Sequence, residues 1–183
     1  FCSNAEKLIP STQYPHNKLK NKSEFQRYLY QAKTYQVTGN LEHAKNALVK
    51  SLQKADELNN NEFLWKALNL LGTLNFHLGE KKQAYNNLET ALKYARKLDN
   101  DNFIFSTFSA IGNLLQNDGK FNDALHQFEK VYNGSKGKFL HHTGDALMNM
   151  GNVYFNQGKY SKAELHYSKA LNIYRDLDAK PMI

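Results

Sequence analysis

The chain is poor in the residues that brace or arm many small proteins. Its single cysteine, Cys2, permits neither an internal disulfide nor a cysteine-based zinc site. With no local partner it does not read as a nucleophile. Three prolines in 183 residues and no low-complexity tract argue against extended disorder. No apolar run approaches the roughly 20 residues that cross a bilayer, so this segment is not expected to insert in a membrane. A glycine-rich phosphate loop, a Gly-x-Ser-x-Gly elbow and a His-Glu-x-x-His pair are all missing. That removes the signatures of phosphate-loop nucleotide enzymes, serine hydrolases and zinc proteases.

Charge is also thin where a nucleic-acid reader would need it. The net charge of +7 divides as +4 over residues 1–40, +2 over 41–100 and +1 over 101–183. Binding of DNA or RNA usually rests on a basic face along the folded body; here the excess sits at the N-terminal end, and no nucleic-acid partner is expected. The histidines are weak metal candidates. His141 and Asp145, four residues apart, can share a helix face as zinc ligands do, but a third ligand is wanting. His126 and His166 read as packing or surface residues. Neither metal nor cofactor is expected.

What the chain has is a repeat. From Asp145 to Leu177 two helical patterns meet at Asn156-Gln157-Gly158-Lys159. Small residues, Gly151, Ala163 and Ala170, stand where two helices must approach, with Leu147, Met150, Tyr154, Tyr160, Tyr167 and Leu171 filling the gaps between them. The same arrangement recurs upstream. Glycines fall at Gly39, Gly79, Gly119 and Gly158, spaced by 40, 40 and 39 residues. Five residues after each comes Ala44, Ala84, Ala124 or Ala163. Seven residues before each comes Ala32, Gly72, Gly112 or Gly151. Seven after each alanine come Ser51, Ala91, Val131 and Ala170. A glycine just past a helix end supports the left-handed turn that other residues resist. One helix pair cannot bury both of its faces, so the pairs must stack.

These positions, with Leu71-Gly72 and Gly-Asn-Val-Tyr at 151–154, resemble the tetratricopeptide repeat over residues 24–178. The usual period is about 34 residues; the longer period here is similar to the branch containing kinesin light chains, cell-polarity adaptors and bacterial sensor or peptide-receptor proteins. Gln31, Asn75 and Lys81 depart from the family pattern. The resemblance implies an all-α, right-handed α-solenoid of four helix–turn–helix repeats, at about 24–58, 61–98, 102–134 and 139–177. Residues 1–22 read as a leader or linker, with Ser23 as the first helix cap, and 179–183 as the start of a linker. Asn59-Asn60-Asn61, Asp99-Asn100-Asp101 and Gly134-Ser135-Lys136-Gly137 are the expected turns between repeats. Trp65, Phe103, Phe105 and Phe108 read as core or inter-repeat plugs. Phe1 in place of Met reads as a processed or truncated start, and no polar capping helix follows Leu177. Either further repeats or a homodimer are then expected at that end.

The resemblance also implies a site. In such solenoids the first helix of each repeat lines the concave face. That register presents Asn69, Thr73, Ser109, Asn113, Gln116, Asn149, Asn152 and Asn156, a ladder of amides and hydroxyls. An Asn side chain both donates and accepts, matching the N–H and C=O groups of an extended peptide. Asn113 and Asn152 follow Gly112 and Gly151, as the peptide-clamping asparagines of the family do. The carboxylate clamp of chaperone-binding members is not matched: Leu29 and Lys33 fill its first-repeat positions, and Ser106 and Ala110 its basic third-repeat positions. The implied function is a non-catalytic scaffold for a protein or extended peptide. The alternative is a sensory or regulatory module of a larger bacterial signalling protein, of diguanylate-cyclase or histidine-kinase type. A cytoplasmic and a bacterial periplasmic location fit equally.

Overall fold

A computed structural model describes residues 13–178. Among them are eight helices: α1 (Gln13–Val37), α2 (Leu41–Glu57), α3 (Asn61–His77), α4 (Lys81–Lys97), α5 (Asp101–Asn117), α6 (Phe121–Ser135), α7 (Leu140–Asn156) and α8 (Tyr160–Asp178). Consecutive helices pair as α1/α2, α3/α4, α5/α6 and α7/α8, and each pair packs on the next. The described residues form an all-α solenoid of four repeats.

The turns explain the even spacing. Within each pair a glycine with positive φ, between 72° and 80°, follows the first helix. At Gly39 its N–H donates to the carbonyl of Gln36, and the next N–H, of Asn40, donates to Tyr35. These are the paired bonds of a Schellman ending, which satisfy carbonyls that the helix leaves open. The same bonds recur at Gly79, Gly119 and Gly158. At the first two links between pairs the same turn is made without glycine. Asn59 and Asp99 hold φ of 48°, in the left-handed region that Asn and Asp tolerate best among side-chain-bearing residues. The following Asn60 and Asn100 cap the next helix, their Oδ1 atoms accepting from the N–H of Phe63 (3.1 Å) and Phe103 (3.2 Å). Four residues therefore both stop one helix and start another.

The third inter-repeat link differs from the expected turn. Helix α6 runs through Gly134 to Ser135, and the link is Lys136 to Phe139. Gly134 lies inside the helix with Phe105 packed against it; a Cβ there would meet the Phe105 ring at 2.7 Å. The first helix differs too. It begins at Gln13, well before the expected start, and Ser23 is no cap: its hydroxyl donates to the carbonyl of Lys20 inside the helix. Pro15 falls in the first turn, where its missing N–H costs nothing. The apolar period is weak over Leu19–Lys22, where Leu19 is 69% exposed and Lys20 and Lys22 are exposed too. Residues 1–12 and 179–183 lie outside the described residues.

One size rule closes each pair. A small residue on the first helix faces a large one exactly sixteen positions later in the register: Gly72 with Leu88, Gly112 with Phe128 and Gly151 with Tyr167. A Cβ on any of the three glycines would lie 2.5–2.7 Å from its partner's side chain. Ala32 and Leu48 hold the same positions in the first repeat, both fully buried. Burying a Leu or Phe this completely contributes about 2–3 kcal/mol. Between repeats, aromatic rings meet. Phe25 stacks on Phe63 at 4.1 Å and Trp65 on Phe103 at 3.8 Å between ring centres. Trp65 also donates its indole N–H to the Thr107 hydroxyl at 2.9 Å. Tyr160 and Leu171 do not fill gaps as expected; they are 64% and 48% exposed on α8. Their register mates Phe121 and Tyr132 are half-buried against the α7 repeat, whereas no described helix follows α8.

Candidate functional site: a polar cleft on the first helices

Helix α5 touches both α3 and α7 directly, while α4 and α6, on the other side, make no comparable contact with their own second neighbours. The solenoid therefore curves towards the first helices, and their shared face is the concave one. There an open cleft of ≈ 340 Å³ is lined by Thr73 of α3, by Ser106, Ser109, Ala110, Asn113 and Leu114 of α5, and by His142, Asp145, Met148 and Asn149 of α7.

Four of the eight residues expected on this face line the cleft: Thr73, Ser109, Asn113 and Asn149. They arrive there because residues three or four apart share a helix face, and the repeat places equivalent residues on neighbouring helices. The other four lie apart from it. Asn152 turns towards its own pair, where its Oδ1 accepts from the Tyr167 hydroxyl at 2.8 Å. Asn69 is half-buried, and its Oδ1 is enclosed with no hydrogen-bond partner among the described residues. Thr73 spends its own hydroxyl proton on the Asn69 carbonyl. Gln116 is half-buried near the end of α5, and Asn156 is exposed as the last residue of α7.

His142, Asp145 and Met148 complete the cleft and were not among the expected groove residues. His141 and Asp145, weighed above as a metal pair, part company: His141 is exposed to solvent. Among the described residues no group of three or more His, Cys, Asp or Glu side chains converges as a metal site. His142 has another role. It stands in the register where α3 has Phe63 and α5 has Phe103, and its ring meets Phe105 edge-on at 5.6 Å. Its Nε2 lies 3.2 Å from the Asn102 side-chain oxygen. Burial holds its pKa below the usual histidine range, with His141 lowering it further and Asp145 opposing. Asp145 accepts a hydrogen bond from the Tyr174 hydroxyl at 2.5 Å. Burial, reinforced by that bond and that negative charge, pushes the Tyr174 phenol well above its ordinary pKa. The register was the signal for Asp145, which is the fourth-repeat counterpart of Lys66 and Ser106.

The stacked pairs, Schellman glycines and small-to-large contacts now have a family behind them. Residues 103–176 match the family model of the tetratricopeptide repeat. That stretch, the third and fourth helix pairs, is tetratricopeptide repeat. Solved structures agree on the fold. BtubC (BKLC) from P. vanneervenii superposes with a TM-score of 0.70 at 19% identity, over 85% of this chain and 65% of its own. For pilF of Pseudomonas aeruginosa the values are 0.65 and 19%, over 85% and 64%. A Rap protein complexed with competence and sporulation factor gives 0.67 and 17%, over 93% of this chain and 50% of the Rap chain. The chain spans less than two thirds of each of these three structures. No curated protein matches the sequence.

Proposed function

We propose that this tetratricopeptide-repeat solenoid is a non-catalytic scaffold that holds an extended segment of a partner protein in its concave cleft. The observation that carries the reading is the convergence of Thr73, Ser109, Asn113 and Asn149 from three successive repeats on one cleft. An extended peptide crossing those helices offers alternating N–H and C=O groups, and amide side chains satisfy both. The surrounding solenoid supplies rigidity, since the clamp residues sit on packed helices and not on loops. A likeness of fold to a Rap protein solved with a bound factor supports the same reading.

The test is phage-display panning of random dodecapeptides on the full chain and on the double variant Asn113→Ala/Asn149→Ala. The expected outcome is enrichment of sequences that bind the parent and bind the double variant about tenfold more weakly, as loss of two hydrogen bonds dictates. Asn156→Ala, exposed and off the cleft, leaves their binding unchanged. Equal binding to parent and double variant overturns the reading.

A further inference from the structure

Repeat four inverts the packing rule of the other three. Helices α1, α3 and α5 carry an aromatic at one register position, Phe25, Trp65 and Phe105, and α7 carries Gly144 there. At the facing position α2, α4 and α6 carry the small residues Ala55, Ala95 and Ser135, all completely buried, and α8 carries Tyr174. The exchange is reciprocal: a Cβ on Gly144 would lie 2.9 Å from the Tyr174 ring. The missing side chain admits a phenol from the outer helix through to the inner one, where its hydroxyl reaches Asp145 at 2.5 Å.

Asp145 is the single carboxylate lining the cleft, and the other lining side chains besides His142 are amide, hydroxyl or apolar. Among the described residues Glu24, Glu57, Glu80, Asp101 and Asp118 are paired with lysines, but Asp145 has no ion-pair partner. Its positions in the earlier repeats hold Gln26, Lys66 and Ser106, so the acid belongs to repeat four alone. Tyr174 fixes one carboxylate oxygen and leaves acceptor capacity on the other. Beside it His142 is held towards its neutral form by burial, so it does not neutralise the carboxylate.

We propose that Asp145, positioned by Tyr174 through the Gly144 gap, is a subsite for a cationic group of the bound peptide: a guanidinium, or an ammonium from a lysine or a free N-terminus. The inference rests on the peptide reading above and adds the sign of charge that the ligand must carry at repeat four. A fixed carboxylate gives a cation a charge-assisted hydrogen bond in a setting less screened than open solvent, and it repels an acidic ligand from the same place.

The experiment uses the full chain and four fluorescein-labelled hexapeptide pools, otherwise random in uncharged residues. Three are N-terminally acetylated, with one fixed arginine, one fixed glutamate or no charged residue, and the fourth is uncharged with a free amine. The arginine pool is expected to bind about tenfold more tightly than the glutamate pool. Comparison of the free-amine pool with its acetylated counterpart tells a terminal amine from a side chain as the source of the cation. Asp145→Asn, which keeps the acceptor for Tyr174, abolishes the preference for cationic pools. Tyr174→Phe weakens the preference without reversing it. Equal binding of arginine and glutamate pools, or a preference unchanged in Asp145→Asn, overturns the cation subsite while the peptide reading stands. Absence of binding by every pool overturns both.

Discussion

The first two seams between repeats and the third solve one problem with different materials. At the first two, aromatic rings stack face to face, Phe25 on Phe63 and Trp65 on Phe103, and an asparagine caps the entering helix. At the third, Phe105 meets His142 edge-on, and Phe139 enters α7 without a side-chain cap. A hydroxyl pair, Ser135 and Thr143 at 2.9 Å, and an edge contact from Phe139 take their place. The third seam is therefore more polar and contains an imidazole whose pKa burial lowers. It is also where α5 and α7 open the cleft. Rigid apolar joints carry the shape, and the polar joint stands beside the binding surface.

This contrast can be broken at several strengths. Trp65→Ala removes a stacked ring and the indole N–H bond to the Thr107 hydroxyl, and leaves a cavity at the seam. It is expected to cost about 3 kcal/mol, seen as a large drop in the urea midpoint. His142→Ala should cost clearly less, and an equal loss would erase the distinction between seams. Next comes Asn100→Ala, which deletes one helix cap at the second seam and should cost about 1 kcal/mol; the uncapped third seam has no equivalent to lose. The smallest effect is on pH dependence. Because the folded protein holds the His142 pKa below its ordinary value of 6.5, the unfolded chain takes up the proton first as pH falls. Stability from this residue is complete above that range and is lost as pH drops below it. His142→Phe, which restores the ring found at the other two seams, should flatten the fall in stability between pH 7 and pH 5. An unchanged slope would show that His142 does not titrate against folding.

Much of the architecture was legible in the residues. Gly39, Gly79, Gly119 and Gly158 announce themselves because a left-handed turn tolerates little else, and the small residues seven positions earlier mark the helix crossings. Thr73, Ser109, Asn113 and Asn149 followed from the same register. The start of α1 was not legible, because the residues before Phe25 carry no apolar period to display. Asn152 looked like a groove residue by motif, but its oxygen goes to Tyr167 in its own pair, a partner set by packing. The bond from Tyr174 to Asp145 was hidden for a related reason. It depends on Gly144 and on a residue 29 positions away, and no local pattern ties the three. His142 was within reach: aligning the stacked rings repeat by repeat puts it on the line of Phe63 and Phe103.

The uniformity of the links has a kinetic meaning. Helix contacts among the described residues run to the next helix or the one after it, so the chain never has to close a long loop in order to fold. Such topologies fold fast, and each pair can form on a neighbour already in place. A ligand lying across α3, α5 and α7 would introduce what the bare chain lacks, a connection from repeat two to repeat four. Occupying the cleft would make three modules that fray separately unfold as one.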